Sequence, residues 1–337
     1  MVQEALEKLI RREDLTGGQA ETVMSEVMAG ECTPAQIAGL LVALRMKGET
    51  AEEVAGFARA MRDSCVRVQT KAEGLVDTCG TGGDELNTFN ISTAAALVAA
   101  GAGVPIAKHG NRSVTSRCGS ADVLRELGLN TDLTAQQAGW SIDEVGIGFL
   151  FAPNLHPAMR HAVGPRRELG IRTVFNILGP LTNPAGARRQ LLGAPGPEWV
   201  PLMASALRAL GTDRALVVHG LDGLDEVSTL GPTLVYEIEG PEMREYELTP
   251  EQFGFDRATA DALAGSEPAE AAQEIVALLE GAPGPKRDIV LLNAAAAIYV
   301  GGRAESIEAG LPIAAESIDS GAARRKLRAM IRFSQGD

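Results

Sequence analysis

The stretch Val76-Asp77-Thr78-Cys79-Gly80-Thr81-Gly82-Gly83-Asp84 decides how this chain folds. An apolar strand runs into a turn holding three glycines. Glycine reaches positive φ and leaves no Cβ between its backbone N–H groups and a ligand. Asn90-Ile91-Ser92-Thr93 follows, then Ala94-Ala95-Ala96. Asn, Ser and Thr suit the start of a helix and alanine suits its body. Val104-Pro105-Ile106-Ala107 reads as the next strand, with Lys108-His109-Gly110-Asn111-Arg112-Ser113 as a basic loop behind it. Together these segments make one βαβ unit whose polar groups gather at one end. A glycine turn opening onto a helix N-terminus is an anion site. The unit is expected to clamp a small, highly phosphorylated molecule.

Working outward, residues 1 to about 70 read as helices only. Thr33-Pro34-Ala35-Gln36 and Thr50-Ala51-Glu52-Glu53 are capping boxes, the first with Pro at the opening helical position. Ile37, Leu40, Leu41 and Leu44 recur at helical spacing up to the stop at Gly48, and Val54, Phe57 and Met61 repeat the pattern. These stripes pack a helix bundle, and part of their surface is expected to form a dimer face. From Leu75 onward the pattern alternates. Strand-like runs at 75–78, 104–107, 146–151, 190–194 and 214–219 are separated by helical runs at 91–100, 120–128, 134–142 and 198–210. Further strands are expected at Thr233 to Glu239 and Glu245 to Leu248, around a turn at Gly240-Pro241. Closing helices are expected at 268–280, 287–300 and 315–333. The fold class is α/β: a small N-terminal helical domain, then a larger domain with a mostly parallel central sheet flanked by helices.

Composition narrows the function. The 31 basic and 44 acidic residues leave a net charge of −13, which argues against general binding to nucleic acid or an anionic membrane. An anionic substrate must then be held by local basic groups. Aromatics are only 4% of the chain, too few for a base-stacking surface. Cys32, Cys65, Cys79 and Cys118 show no metal-ligand spacing and read as reduced thiols, Cys79 and Cys118 within the site loops and open to modification. No apolar run approaches the roughly 18 residues of a membrane span, and no signal-peptide core is present, so a cytoplasmic protein is expected.

Five motifs now stand in order: Gly80 to Asp84, Asn90 to Thr93, Lys108 to Ser116, His156 to Pro184, and Gly223-Leu224-Asp225-Glu226-Val227-Ser228. In sequence and spacing the chain resembles, along essentially its whole length, the anthranilate phosphoribosyltransferases. The resemblance implies transfer of phosphoribose from 5-phosphoribosyl 1-pyrophosphate to the amine of anthranilate, the second committed step of tryptophan synthesis. It also implies a homodimer through the N-terminal helices. The domains would be 1–70 and 71–337, the helical segment at about 156–170 packing back onto the first.

Such a transfer needs positioning and charge stabilisation more than acid–base work. The aromatic amine is neutral at pH 7, so no residue is assigned as a catalytic base. By the resemblance, Gly80, Gly83 and Asp84, with Gly82, hold the pyrophosphate. Thr88, Asn90, Ile91, Ser92 and Thr93 add hydroxyl and helix-start donors, and Lys108 is a compact cation for phosphate. His109 joins them only by its place in the motif. Gly110, Asn111, Arg112, Ser113, Val114, Thr115, Ser116 and Ser120 enclose the 5-phosphate and ribose. Arg166 meets the anthranilate carboxylate with a guanidinium fork, helped by Gly80 and Asn111. Asp225 and Glu226 follow a strand's C-terminal end and point opposite ways on extended backbone, which lets them serve two Mg²⁺ ions, with Ser92 as a third metal-contacting side chain.

Two rivals share parts of this pattern. A pyrimidine nucleoside phosphorylase shares the two-domain plan and the glycine turn, but phosphorolysis needs no two-metal pyrophosphate site. A non-catalytic relative that binds nucleic acid or a metabolite would carry a basic surface and an eroded acidic motif. The Lys108-to-Arg112 motif and Asp225-Glu226 argue against the first, and the net charge of −13 with an intact Asp225-Glu226 argues against the second.

Overall fold

A computed structural model describes residues 1–82, 86–113 and 117–336. Four helices open the chain: α1 (Val2–Ile10), α2 (Gly17–Ala29), α3 (Pro34–Lys47) and α4 (Ala51–Asp63). Both expected capping boxes form, since Thr33 and Thr50 each accept from the third helical N–H and are answered by Gln36 and Glu53. A third, at Thr16 with Gln19, starts α2. All seven stripe residues from Ile37 to Met61 are buried within the single chain. That corrects the idea that this stripe is left over for a dimer face.

The sheet follows the alternation. β1 (Val76–Gly80), α5 (Ile91–Gly101), β2 (Ile106–Gly110), α6 (Ser120–Glu126), α7 (Ala135–Val145) and β3 (Ile147–Phe151) come first. Three short or irregular helices, α8 (Ala152–Leu155), α9 (Arg160–Leu169) and α10 (Phe175–Leu178), then interrupt it. β4 (Arg189–Gly193), α11 (Trp199–Ala209), β5 (Arg214–Gly220), β6 (Thr233–Glu239) and β7 (Glu242–Leu248) complete the sheet. Four helices close the chain: α12 (Pro268–Leu279), α13 (Pro285–Val300), α14 (Ile307–Asp319) and α15 (Ala322–Gln335). The run expected as one helix over 315–333 is thus two, broken at Ser320-Gly321, where Gly321 takes φ +72.

Strand order is β3-β2-β1-β4-β5-β6-β7, parallel through β5 and antiparallel beyond it. The chain moves outward from β1 to β3, then returns to place β4 on the other side of β1. Open α/β sheets bind ligands at such a reversal, beyond the strands' C-terminal ends. Gly80 and Gly193 end β1 and β4 side by side there. One sheet face is covered by α5, α13 and α15, with α14 packed on those helices. The other packs on α11, whose core is continuous with that of the N-terminal helices through residues such as Phe57, Leu192 and Val217. α9 packs against α2 and α3.

Candidate active site

Backbone crowding at the strand reversal is relieved by glycine. A Cβ at Gly80 would fall 2.5 Å from Asp225 Oδ2, and one at Gly193 would fall 1.6 Å from the Asp225 carbonyl oxygen. Asp225 therefore lies directly across the ends of β1 and β4. Its Oδ2 accepts the Gly82 N–H at 2.9 Å and the Thr81 hydroxyl at 3.4 Å. Gly82 takes φ +66, a conformation that favours glycine. On the far side, Asn293 of α13 grips Val227, accepting its N–H at 3.0 Å and donating to its carbonyl at 2.8 Å. Asp225 and Glu226 are only 7% and 9% exposed, so they are set into the structure and are not the exposed carboxylates that a strand-end loop suggests.

Lys108 reaches up from β2 into the same space. Its ammonium donates to the Thr78 carbonyl at 2.6 Å and to Ser92 Oγ at 3.2 Å. Burial pulls its pKa down, while the carboxylates of Asp77 and Glu226 support the charge. Ser92 stands in the first turn of α5, whose start is fixed by a bond from the Asn90 amide to the Cys118 carbonyl at 3.0 Å. Thr93 is buried in that turn, and Thr88 lies in the chain leading to it. Ile91 belongs to the core. The basic loop beyond Gly110 is pinned from below. The Asn111 carbonyl accepts from Ala121 N–H and Ser120 Oγ, both at 3.1 Å, and Asp122 accepts the Ser113 and Gly119 N–H groups at 3.0 Å. Asn111 and Arg112 are exposed above it. Gly83, Asp84, Val114, Thr115 and Ser116 lie outside the described residues.

Successive strand residues point to opposite faces, and this separates Lys108 from His109. The His109 ring does not face the lysine cluster. It packs 5.1 Å from the His156 ring and hydrogen-bonds the Gly179 backbone. Burial, with the neighbouring His156, drives its pKa down to about 3, and burial holds His156 at about 4, so both are neutral at pH 7. Among the described residues, neither buried Nε2 has a hydrogen-bond partner. Arg166 borders this side from α9, its guanidinium 5.1 Å over the Phe175 ring, and burial lowers its pKa. Its neighbours Arg160 and Arg167 are exposed, which singles out Arg166 within the helix.

Other residues that sequence reasoning passed over hold the two sides together. Asp77, fully buried in β1, accepts the His109 N–H at 3.0 Å and the Asn183 amide at 2.8 Å, and Asn183 also donates to Ala107. Burial raises the Asp77 pKa against these bonds and the Lys108 charge. The apolar reading of β1 hid this carboxylate, whose partners lie far along the chain. Cys79 is likewise part of β1 and not of the loop. Burial pushes the Cys79 thiol well up and raises Cys118 to about 12, so neither is a reactive thiolate.

Comparison with known proteins places the chain in a family. Residues 72–324 match the profile described as "Glycosyl transferase family, a/b domain", and residues 3–65 match "Glycosyl transferase family, helical bundle domain". Anthranilate phosphoribosyltransferase of Desulforudis audaxviator is 56% identical over 99% of this chain and 97% of its own. That of Rubrobacter xylanophilus is 53% identical over 99% and 98%. The crystal structure of the Thermus thermophilus enzyme superposes with a TM-score of 0.94 at 47% identity, covering 98% of this chain and 99% of the other. The Saccharomyces cerevisiae enzyme in complex with PRPP and Mg gives 0.92 at 29% identity, covering 100% and 98%. With full-length identity at this level and both parts of the fold matched, the chain belongs to the anthranilate phosphoribosyltransferase family, a group of pentosyltransferase enzymes.

Proposed function

We propose that this chain transfers the 5-phosphoribosyl group of 5-phosphoribosyl 1-pyrophosphate to anthranilate. The amine lone pair forms the new bond to the sugar C1, the C1–O bond breaks, pyrophosphate leaves with the electron pair, and the nitrogen gives its proton to water. The carrying observation is the division at Lys108 and His109. One face of β2 offers Lys108, Ser92 and the glycine turn to phosphates. The other offers neutral histidines and Arg166 to an aromatic acid. The reacting atoms would meet where these faces join, beyond Gly80 and Asn111.

The donor set fits the metal that the yeast relative carries. Two carboxylates and a hydroxyl, from Asp225, Glu226 and Ser92, are hard oxygen ligands beside a glycine with no side chain in the way. Among the described residues no three His, Cys, Asp or Glu side chains gather into a self-contained site. That suits Mg²⁺, which keeps waters and shares substrate phosphates. Mg²⁺ held there, which we read as two ions, supplies charge neutralisation to the leaving pyrophosphate. Lys108 and the backbone donors of the turn orient the same group, and Arg166 orients the acceptor.

We further read residues 1–70 and 71–337 as the two domains and the protein as a cytoplasmic homodimer. Ile10 and Met46 support the dimer, since these large apolar side chains of the bundle are 74% and 73% exposed. Light scattering checks it. Among the described residues no helix is long and apolar enough to cross a membrane. The reaction itself is tested by following loss of anthranilate fluorescence with 5-phosphoribosyl pyrophosphate and Mg²⁺. Each component is omitted in turn, and turnover that survives any omission refutes the proposal.

A further inference from the structure

Residues 258–265 are absent from every motif above, yet they touch both halves of the phosphate site. The Gly265 N–H donates to the Asn87 carbonyl at 2.7 Å, and the Phe89 N–H donates to the Leu263 carbonyl at 3.1 Å. Thr88 and Ala264 form an antiparallel bridge between these bonds. The segment is thus paired with the stretch that ends at Asn90 and starts α5. At its other end the Ala258 N–H donates to the Thr229 carbonyl at 2.9 Å, three residues beyond Glu226. A single-turn 3-10 helix, Ala260–Leu263, joins the two ends. It is seated in the main core by the fully buried Leu263.

The fit leaves no room for adjustment. A Cβ at Gly265 would lie 2.6 Å from the Thr88 carbonyl oxygen and 2.7 Å from that of Asn87, both backbone atoms that cannot rotate away. Asn87 takes φ +49, a conformation non-glycine residues seldom adopt, within this pairing. Phe89 is anchored in the core with the Lys286 ammonium 5.2 Å over its ring.

We propose that residues 258–265 are a positioning strut that fixes the spacing between the α5 start, which carries Ser92, and the Asp225-Glu226 pair, and that Gly265 sets its length. This rests on the phosphoribosyl reading of the site. The strut bonds to the chain entering α5 and to the chain beyond Glu226, and among the described residues none of its hydrogen bonds reaches the Arg166 helix, so it acts on one substrate.

The test uses the full chain. In Gly265→Ala, the KM for 5-phosphoribosyl pyrophosphate and its calorimetric Kd with Mg²⁺ rise by about tenfold or more, since displacements near 1 Å carry such penalties. The KM for anthranilate moves by less than about twofold. Leu263→Ala, which loosens the seat without adding an atom, shifts the same constant in the same direction. Ala264→Ser, whose side chain is exposed and whose backbone bonds survive, behaves as wild type. Unchanged donor affinity in Gly265→Ala, or equal loss for both substrates, overturns the strut while leaving the functional reading intact. A wild-type chain that binds no 5-phosphoribosyl pyrophosphate overturns the functional reading and the strut with it. Hydrogen exchange provides a readout free of variants. Slow exchange of the Phe89 and Gly265 amides, slowed further by the donor, is expected, and solvent-like exchange of both refutes the pairing.

Discussion

The helix bundle and the strand ends around Asp225 both bury a lysine among carboxylates, and they do so in contrasting ways. In the bundle, the Lys47 ammonium meets Asp14 at 2.6 Å and Glu53 at 3.0 Å. Glu53, fully buried, also accepts the N–H groups of Leu15 at 2.9 Å and Thr50 at 2.8 Å. That network is closed. At the sheet, Lys108 donates to a carbonyl and a hydroxyl, and Asp225 accepts the Gly82 N–H and the Thr81 hydroxyl of the glycine turn. Among the described residues Lys108 and Glu226 support each other's charge at a distance, with no close ion pair between the lysine and either acid. A closed network stabilises the fold, whereas separated charges of both signs suit an incoming polyanion with its cation.

The sharpest break of that contrast is the acidic pair. Asp225→Asn with Glu226→Gln keeps shape and hydrogen-bond acceptors but removes the charge for Mg²⁺. Because electrostatic stabilisation is the main catalytic device here, kcat/KM should fall by about a thousandfold or more. The melting temperature should stay within a few degrees of wild type. Near-normal turnover in the fluorescence assay would sink the metal assignment.

Glu53→Ala is the mirror experiment. Removing one partner of a buried ion pair leaves the other uncompensated and costs about 3–5 kcal/mol. Urea denaturation should show that loss, with kcat/KM unchanged below the transition. A drop in activity without a drop in stability would erase the distinction between the two regions.

The bundle was legible because its signals are local. Thr33 with Gln36, and Thr50 with Glu53, sit three residues apart, and the stripes repeat every turn. The strands were legible for the same reason, except where exposure removes the pattern. β7 begins at Glu242, earlier than Glu245, because an exposed edge strand with charged residues shows no apolar alternation. The site's glycines and basic residues could be read, but their partners could not. Asn183 lies 106 residues from Asp77, and the Gly82 partner Asp225 lies 143 residues away. Residues 249–267, built of short turns, carry no period at all and gave no expectation.

Arg166→Ala sharpens the separation of the two faces of β2. Losing a charge-assisted hydrogen bond costs about 1.5–3 kcal/mol, so the KM for anthranilate should rise roughly ten- to a hundredfold. Binding of 5-phosphoribosyl pyrophosphate should stay nearly intact, and aniline, which has no carboxylate, should be used about as poorly by mutant as by wild type. If the donor is the substrate bound weakly, the assignment of the faces is reversed.

The smallest effect concerns His109 and His156, which sit where helices and sheet meet. Their folded pKa values of about 3 and about 4 lie below the ordinary 6.5. Below pH 6.5 the unfolded chain therefore takes up protons that the folded chain refuses. Stability from these groups is complete above pH 6.5 and is lost as pH falls toward 4 for His156 and 3 for His109. The slope is about 1.4 kcal/mol per pH unit for each fully titrating histidine. His156→Gln should flatten the dependence of unfolding free energy on pH between 6 and 5 by about one such increment. Urea midpoints read it directly. Activity between pH 6 and 8 should not register either histidine, because neither changes charge there. A mutant that keeps the wild-type acid slope would mean that His156 is protonated in the folded protein. The face beside Arg166 would then carry positive charge where a neutral wall is expected.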